Sequence, residues 1–133
     1  EEFNNILNLN INLNKVYFMH CVSSYPLNDE NVNFPKLLEI KKKHGQIGYS
    51  GHLKGVEDAI AAISFGAMIV EKHFTTDNNL PGRDNKFALL PGDMKIIANY
   101  RDIFSKMNID KGLDVQECEM DIYKNYRGRW SKN

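Results

Sequence analysis

Two apolar runs in this sequence close on a histidine. IGYSGH, residues 47–52, ends at His52, and AMIVEKHF, residues 67–74, reaches His73 one residue before its end. An imidazole nitrogen ligates divalent metals, and two histidines on neighbouring strand ends can reach one ion. Two protein ligands leave coordination positions open, which is the arrangement of a reactive centre rather than a structural one. The plainer reading of any histidine is a hydrogen bond to a neighbour. That reading is taken for His20, inside an apolar run, and for His44, which follows three lysines where a cation suits a helix C-terminus. The loop TTDNNLPGRDNKFALLP, residues 75–91, adds Arg83 and Lys86, which can meet an anion, and Asp84, which can accept from a hydroxyl. A merely solvated polar loop is the competing reading there. No G-x-S-x-G elbow, phosphate-loop signature or C-x-x-C pair is present.

The elements that must position these residues alternate. KVYFMHCV, residues 15–22, is aromatic and β-branched and reads as a strand. FPKLLEIKKKHG, residues 34–45, reads as a helix, with Pro35 near its start and Gly45 as its stop. QIGYS is a second strand, GVEDAIAAISFG a second helix and AMIVEKHF a third strand. PGDMKIIANYRDIFSKM, residues 91–107, is a third helix with Pro91 at its start, and a further helix is expected through VQECEMDIYKNY, residues 115–126. Strands alternating with helices predict an α/β fold of βα units with parallel strands. Nearly continuous apolar strands predict cover on both faces. Polar residues gather at the C-terminal ends of the strands, where such sheets carry their chemistry. Side chains two apart share a strand face, so Ser23 with Tyr25, Ser50 with His52, and Glu71 with His73 are expected to meet at one rim. On the same parity Glu71 is expected to orient His73.

Composition narrows the partners. The chain has 133 residues, 42% hydrophobic and 26% charged, in the range of an ordinary globular domain. Its 17 basic and 17 acidic residues cancel, so charge suggests neither nucleic acid nor a membrane as partner. No run approaches the roughly 20 apolar residues of a span, and the acidic, Asn-rich start is unlike a secretory signal. Cys21 and Cys118 are read as small buried hydrophobes in a reducing cytoplasm. The basic tail NYRGRWSKN, with Trp130 among Arg127, Arg129 and Lys132, is read as docking onto another domain.

HCVSSYP, IGYSGH, GAMIVEKHFT and LPGRDNKFAL stand in an order and spacing that resemble the sialic acid synthases (N-acetylneuraminate synthase and its relatives) over about residues 15–105. The resemblance implies a (β/α)8 TIM barrel of which this chain supplies strands six to eight, residues 1–133 forming the C-terminal part of the barrel. Residues from about 110 onward would be a terminal helix and tail leading toward a further, antifreeze-like domain. It implies condensation of phosphoenolpyruvate with an N-acetylated hexosamine, N-acetylmannosamine or a relative, to a nine-carbon keto acid with release of phosphate.

Carried over by position, His52 and His73 resemble the ligands of the family's Mn²⁺ or Mg²⁺. Ser50 resembles its phosphate contact. Ser23 falls where many members carry an Asn that contacts phosphoenolpyruvate. Tyr25 and Asp84 resemble contacts to the amino sugar, Asp84 also standing near the metal-bound water or aldehyde, so that His52, His73 and Asp84 are the implied catalytic set. The family's phosphate-binding lysines and a catalytic glutamate lie in strands that this chain does not contain. Many members have Asp where Gly51 stands, and GPDHKA where this chain has GRDNKF, which leaves the acceptor open among the sialic, legionaminic and pseudaminic pathways. Three strands cannot close a barrel of eight. The expected partners are therefore the two substrates together with the missing half of the barrel or further copies of the chain. Two other readings stand beside the synthase: a different two-histidine metal-dependent barrel enzyme such as an aldolase, and a non-catalytic partial barrel serving as a binding or assembly module.

Overall fold

The computed structural model describes residues 2–9 and 11–128. The chain runs α1 (Glu2–Leu7), β1 (Phe18–Cys21), α2 (Phe34–His44), β2 (Ile47–Gly51), α3 (Glu57–Ser64), β3 (Ile69–Lys72), α4 (Pro91–Met107) and α5 (Met120–Asn125). The three strands are parallel and lie in chain order. Cys21 pairs with Ser50 and Ser50 with Glu71, so the strands end level with one another. That level ending is what brings the residues after each strand to one rim.

Local chemistry sets the boundaries. The Asn12 side chain accepts from the Asn14 N–H at 3.1 Å and starts a short turn over Leu13–Lys15, so β1 begins later than its apolar run suggests. Helix α2 carries Pro35 in its first turn and Lys41, Lys42, Lys43 and His44 in its last, where cations oppose the helix dipole. It stops at Gly45, whose φ of 89° costs a glycine little. His44 donates a ring N–H to the Val16 carbonyl at 2.9 Å, tying that helix end to the approach of β1. In α4 the Asp93 carboxylate accepts the Leu90 N–H at 3.0 Å, satisfying one of the orphan donors of the first turn. Helix α1 lies in the Asn-rich opening. At the other end only Met120–Asn125 of the expected helix forms, after a tight turn at Glu117–Glu119. Arg129, Trp130 and Lys132, on which the docking of the tail was expected, lie outside the described residues.

The sheet is covered on one face only. Ile47, Tyr49 and Val70 point toward the helices and pack with Leu27, Val32, Leu37, Leu53 and Ala62. A second cluster of Ala59, Ile63, Leu89 and Ile97 joins α3 to α4. On the opposite face Met19 and Ile69 remain 37% and 42% exposed. The strands are apolar on both sides, as expected, but only the helical side is buried. Cys21 is exposed on the bare face and Cys118 in the turn before α5, which corrects the expectation that both are buried. His20 is a buried histidine whose Nε2–H donates to the Val32 carbonyl at 2.7 Å, in keeping with its structural reading.

Candidate functional site

His52 follows directly on the last residue of β2, and His73 on the last of β3. Each is held by its own backbone, and His52 also by its ring. The His52 carbonyl accepts from Leu27 N–H at 3.0 Å, and the His73 carbonyl from Leu89 N–H at 2.8 Å. The returning loops after β1 and β3 thus fasten both residues at the rim. The His52 ring, in a residue only 3% exposed, has Nδ1 2.8 Å from the Val22 carbonyl. A carbonyl can only accept, so Nδ1 carries the hydrogen and Nε2 keeps its lone pair. His73 Nδ1 stands 3.6 Å from Asp84 Oδ2.

The two imidazole centres are 5.3 Å apart. A shared ion about 2.1 Å from one nitrogen of each ring places the centres roughly 5 Å apart, so the donor set and its spacing fit a divalent cation. Among the described residues no three or more His, Cys, Asp or Glu converge on one point, so a cation between these rings would take two protein nitrogens and leave its other positions open. Oxygen ligands suit the remaining positions of a hard divalent cation.

Aromatic rings wall this pair. Tyr25 lies 4.2 Å from the His52 ring and 5.8 Å from that of His73. Phe87 closes the group at 5.2 Å from His73 and 5.9 Å from Tyr25. No motif singles out Phe87 in the sequence; its signal is an aromatic closing a polar loop. That loop is built rather than merely solvated. Asn78 Nδ2 donates to the carbonyls of Asn85 and Ala88 at 2.7 and 2.9 Å, and Asn85 Nδ2 donates to Pro81 at 2.9 Å. These carboxamides shape the turn that presents Asp84 to His73.

Tyr25, His52, His73 and Asp84 therefore lie together at one end of the sheet. Ser50 does not reach the histidines; its hydroxyl donates to Glu71 Oε2 at 2.7 Å on the bare face of the sheet. Glu71 was expected to orient His73, and instead it engages Ser50 while Asp84 is the carboxylate beside His73. Ser23 is exposed, its hydroxyl 4.0 Å from Cys21 Sγ. Arg83 and Lys86 both face solvent on the loop.

Behind the rim lies a polar cluster that periodicity did not reveal. Lys72 Nζ donates to Asp58 Oδ1 and Oδ2 at 2.8 and 2.9 Å and to the Leu53 carbonyl at 2.8 Å. Tyr49 donates its hydroxyl to Asp58 Oδ2 at 3.0 Å, and burial, followed by the negative charge of Asp58, pushes the Tyr49 pKa far up. The Lys72 and Asp58 side chains are 2% and 0% exposed. A cavity of about 950 Å³ opens beside this cluster between Phe34, Leu53 and Asp58, and neither His52 nor His73 lines it.

Comparison with known proteins gives these features relatives. A model of the NeuB family matches residues 2–111. The N,N'-diacetyllegionaminic acid synthase of Campylobacter jejuni is 34% identical over 84 residues, 62% of this chain and 25% of that protein. The N-acetylneuraminate-9-phosphate synthase of Homo sapiens is 39% identical over 79 residues, 58% of this chain and 22% of that protein. Among solved structures, the N-acetylneuraminic acid synthetase of Leptospira borgpetersenii, in complex with citrate, matches with a TM-score of 0.71 and 34% identity over 84% of this chain and 40% of its own. The chain thus spans about a quarter of the length of these curated relatives.

Proposed function

The chain belongs to the NeuB family, and from that premise we propose that it is part of the barrel of a synthase condensing phosphoenolpyruvate with an N-acetylated hexosamine. Its three parallel strands and their helices are a partial barrel, alike in fold to the family's solved structures. We take them as the sixth to eighth strands, with residues from about 110 onward leading out of the barrel. The single observation that carries the reading is the histidine pair at adjacent strand ends, 5.3 Å apart beneath Tyr25.

In this reading His52 and His73 hold the cation, each through a ring nitrogen. When bound, Mn²⁺ or Mg²⁺ supplies Lewis acidity toward the carbonyl oxygen of the open-chain sugar. The residues of the chain do the rest. The Val22 carbonyl fixes the His52 tautomer, leaving Nε2 as the ligand atom. Asp84 keeps the His73 ring in place and accepts a hydrogen bond from the sugar. Tyr25 and Phe87 wall the site and restrict how the acceptor lies, which favours attack by phosphoenolpyruvate on one carbon. Ser50 donates to a phosphate oxygen in place of the Glu71 carboxylate that it meets here. Ser23, exposed past β1, faces the same substrate. Lysines that grip the phosphate come from outside this chain. We place the reaction in the cytoplasm, in keeping with two free cysteines; no helix among the described residues is long and apolar enough to cross a membrane.

The test is phosphate release from phosphoenolpyruvate by the complete protein with Mn²⁺ and a panel of amino sugars. N-acetylmannosamine, its 6-phosphate, and the diacetylated precursors of legionaminic and pseudaminic acids separate the acceptor classes. Metal-dependent release with one of them supports the reading, and retro-aldol cleavage without phosphoenolpyruvate would replace it with an aldolase. Within that assay Asp84→Asn should raise KM for the amino sugar about tenfold or more, since a hydrogen bond to a charged group contributes about 1.5–3 kcal/mol. KM for phosphoenolpyruvate should stay within about twofold. A change confined to the phosphoenolpyruvate constant would remove Asp84 from the sugar site.

A further inference from the structure

The Lys72 ammonium sits where it can set the distance between the two histidines. Gly51 and Lys72 are paired across β2 and β3. They form the last rung of the sheet, and His52 and His73 are the first residues past each strand. Lys72 spends all three of its N–H donors on fixed partners: both oxygens of Asp58, on the first turn of α3, and the carbonyl of Leu53. Leu53 follows His52. His52 is therefore gripped from both sides, by the Gly51 rung before it and by the Lys72–Leu53 bond after it, and the gripping side chain belongs to the residue before His73. One buried cation thus ties the two ligand-bearing segments to each other and to α3.

The closeness of this arrangement is visible at Gly51. A Cβ there would lie 2.3 Å from Asp58 Oδ2, 2.6 Å from Tyr49 Cε1 and 2.9 Å from Lys72 Cδ. Only a residue without a side chain lets the Lys72 stem and the Asp58 carboxylate pass this close behind the strand end.

We propose that Lys72, anchored by Asp58, is a positioning residue that holds His52 and His73 at the separation needed to bind one divalent cation; this rests on the two-histidine metal site proposed above. A purely structural ion pair would affect how much protein folds but not how tightly the folded protein binds the cation. The distinguishing readout is therefore the Kd for Mn²⁺ alone, followed by electron paramagnetic resonance of the free ion, in the complete synthase. Replacing both partners, Lys72→Met with Asp58→Leu, removes the bridge without leaving a buried charge unpaired. Asp58→Asn, which keeps the shape of the carboxylate, serves as a second variant should the double variant not fold. The double variant, folded by circular dichroism, should bind Mn²⁺ about 10–100-fold more weakly, the range for loss of a group that orients a ligand. Asp58→Asn should weaken it several-fold. Affinity within twofold of the parent in the folded double variant, or in Asp58→Asn if the double does not fold, overturns the proposal. His52→Ala is the parallel control. If it too binds Mn²⁺ as the parent does, the metal site itself is wrong and this inference falls with it. If it loses Mn²⁺ while the bridge variants do not, only the positioning role falls.

Discussion

On the proposed function, alanine in place of His52 or His73 will abolish tight Mn²⁺ binding in the complete protein and lower metal-dependent turnover about a thousandfold or more. The size follows from the role assigned to the cation. Lewis-acid stabilisation of a developing oxyanion is worth several kcal/mol, and each 1.36 kcal/mol is tenfold in rate. With only two protein nitrogens on the ion and no third His, Cys, Asp or Glu converging on them among the described residues, loss of either leaves a single imidazole. The two variants should differ in a second respect. His52 is buried against the Val22 carbonyl and the Tyr25 ring, so its removal also leaves a polar acceptor unpaired. His73 is more exposed and its loss frees Asp84, so His73→Ala should melt closer to the parent. Near-parental turnover with Mn²⁺ in both variants would end the metal assignment.

The 133-residue chain purified alone will release no phosphate from phosphoenolpyruvate and will self-associate, unless the remaining strands of the barrel are supplied. The sheet has three strands, with β1 and β3 as its edges, and each edge offers unpaired backbone groups to another chain. Its bare face carries Met19 and Ile69, with Phe74 exposed just beyond β3, an apolar surface of the kind that seeks cover. On the proposed function the substrate site is equally incomplete. A phosphate deprived of two lysines loses two charge-assisted hydrogen bonds at about 1.5–3 kcal/mol each, on the order of a hundredfold or more in binding. Light scattering should give a mass of at least two chains, and a coupled phosphate assay should stay at background. A monodisperse monomer with ordinary turnover would show that these residues suffice, and mixing with the other strands should otherwise restore both mass and activity.

Helices with terminal signals were legible at once. Pro91 and an apolar stripe placed α4 over the residues it occupies, and Pro35 with Gly45 bracketed α2. Helix α1 was not, because a run rich in asparagine offers neither a stripe nor a strong propensity. The end of the chain was read as more helical than it is, since Gln116 and Glu119 close a tight turn there instead: the Glu119 carboxylate accepts the Gln116 N–H at 2.8 Å. The rim was legible in part because strand parity is a local rule: it set Ser50 with His52 and Glu71 with His73, and while His52 does lie near His73, Ser50 and Glu71 meet each other on the bare face instead. It could not choose partners. Glu71 was given to His73 on parity, yet Ser50 lies directly across the ladder and takes it. Nor could periodicity show that Lys72 and Asp58, fourteen residues apart, meet behind the sheet. Such pairs follow from how α3 docks on β2 and β3, which no window of neighbouring residues contains.

The Tyr49 hydroxyl has a consequence under alkaline conditions. A tyrosine in an unfolded chain gives up its proton near pH 10. In the folded protein burial first, and the Asp58 carboxylate next, keep Tyr49 protonated well above that point. The sign follows from proton counting. Below pH 10 folded and unfolded chains both hold this proton and the fold gains or loses nothing from it. Above pH 10 only the folded chain holds it, so each further rise in pH favours the unfolded chain. The same hydroxyl that completes the polar cluster in neutral solution thus becomes the point at which base enters the interior, and the anchorage of both strand ends would be released together.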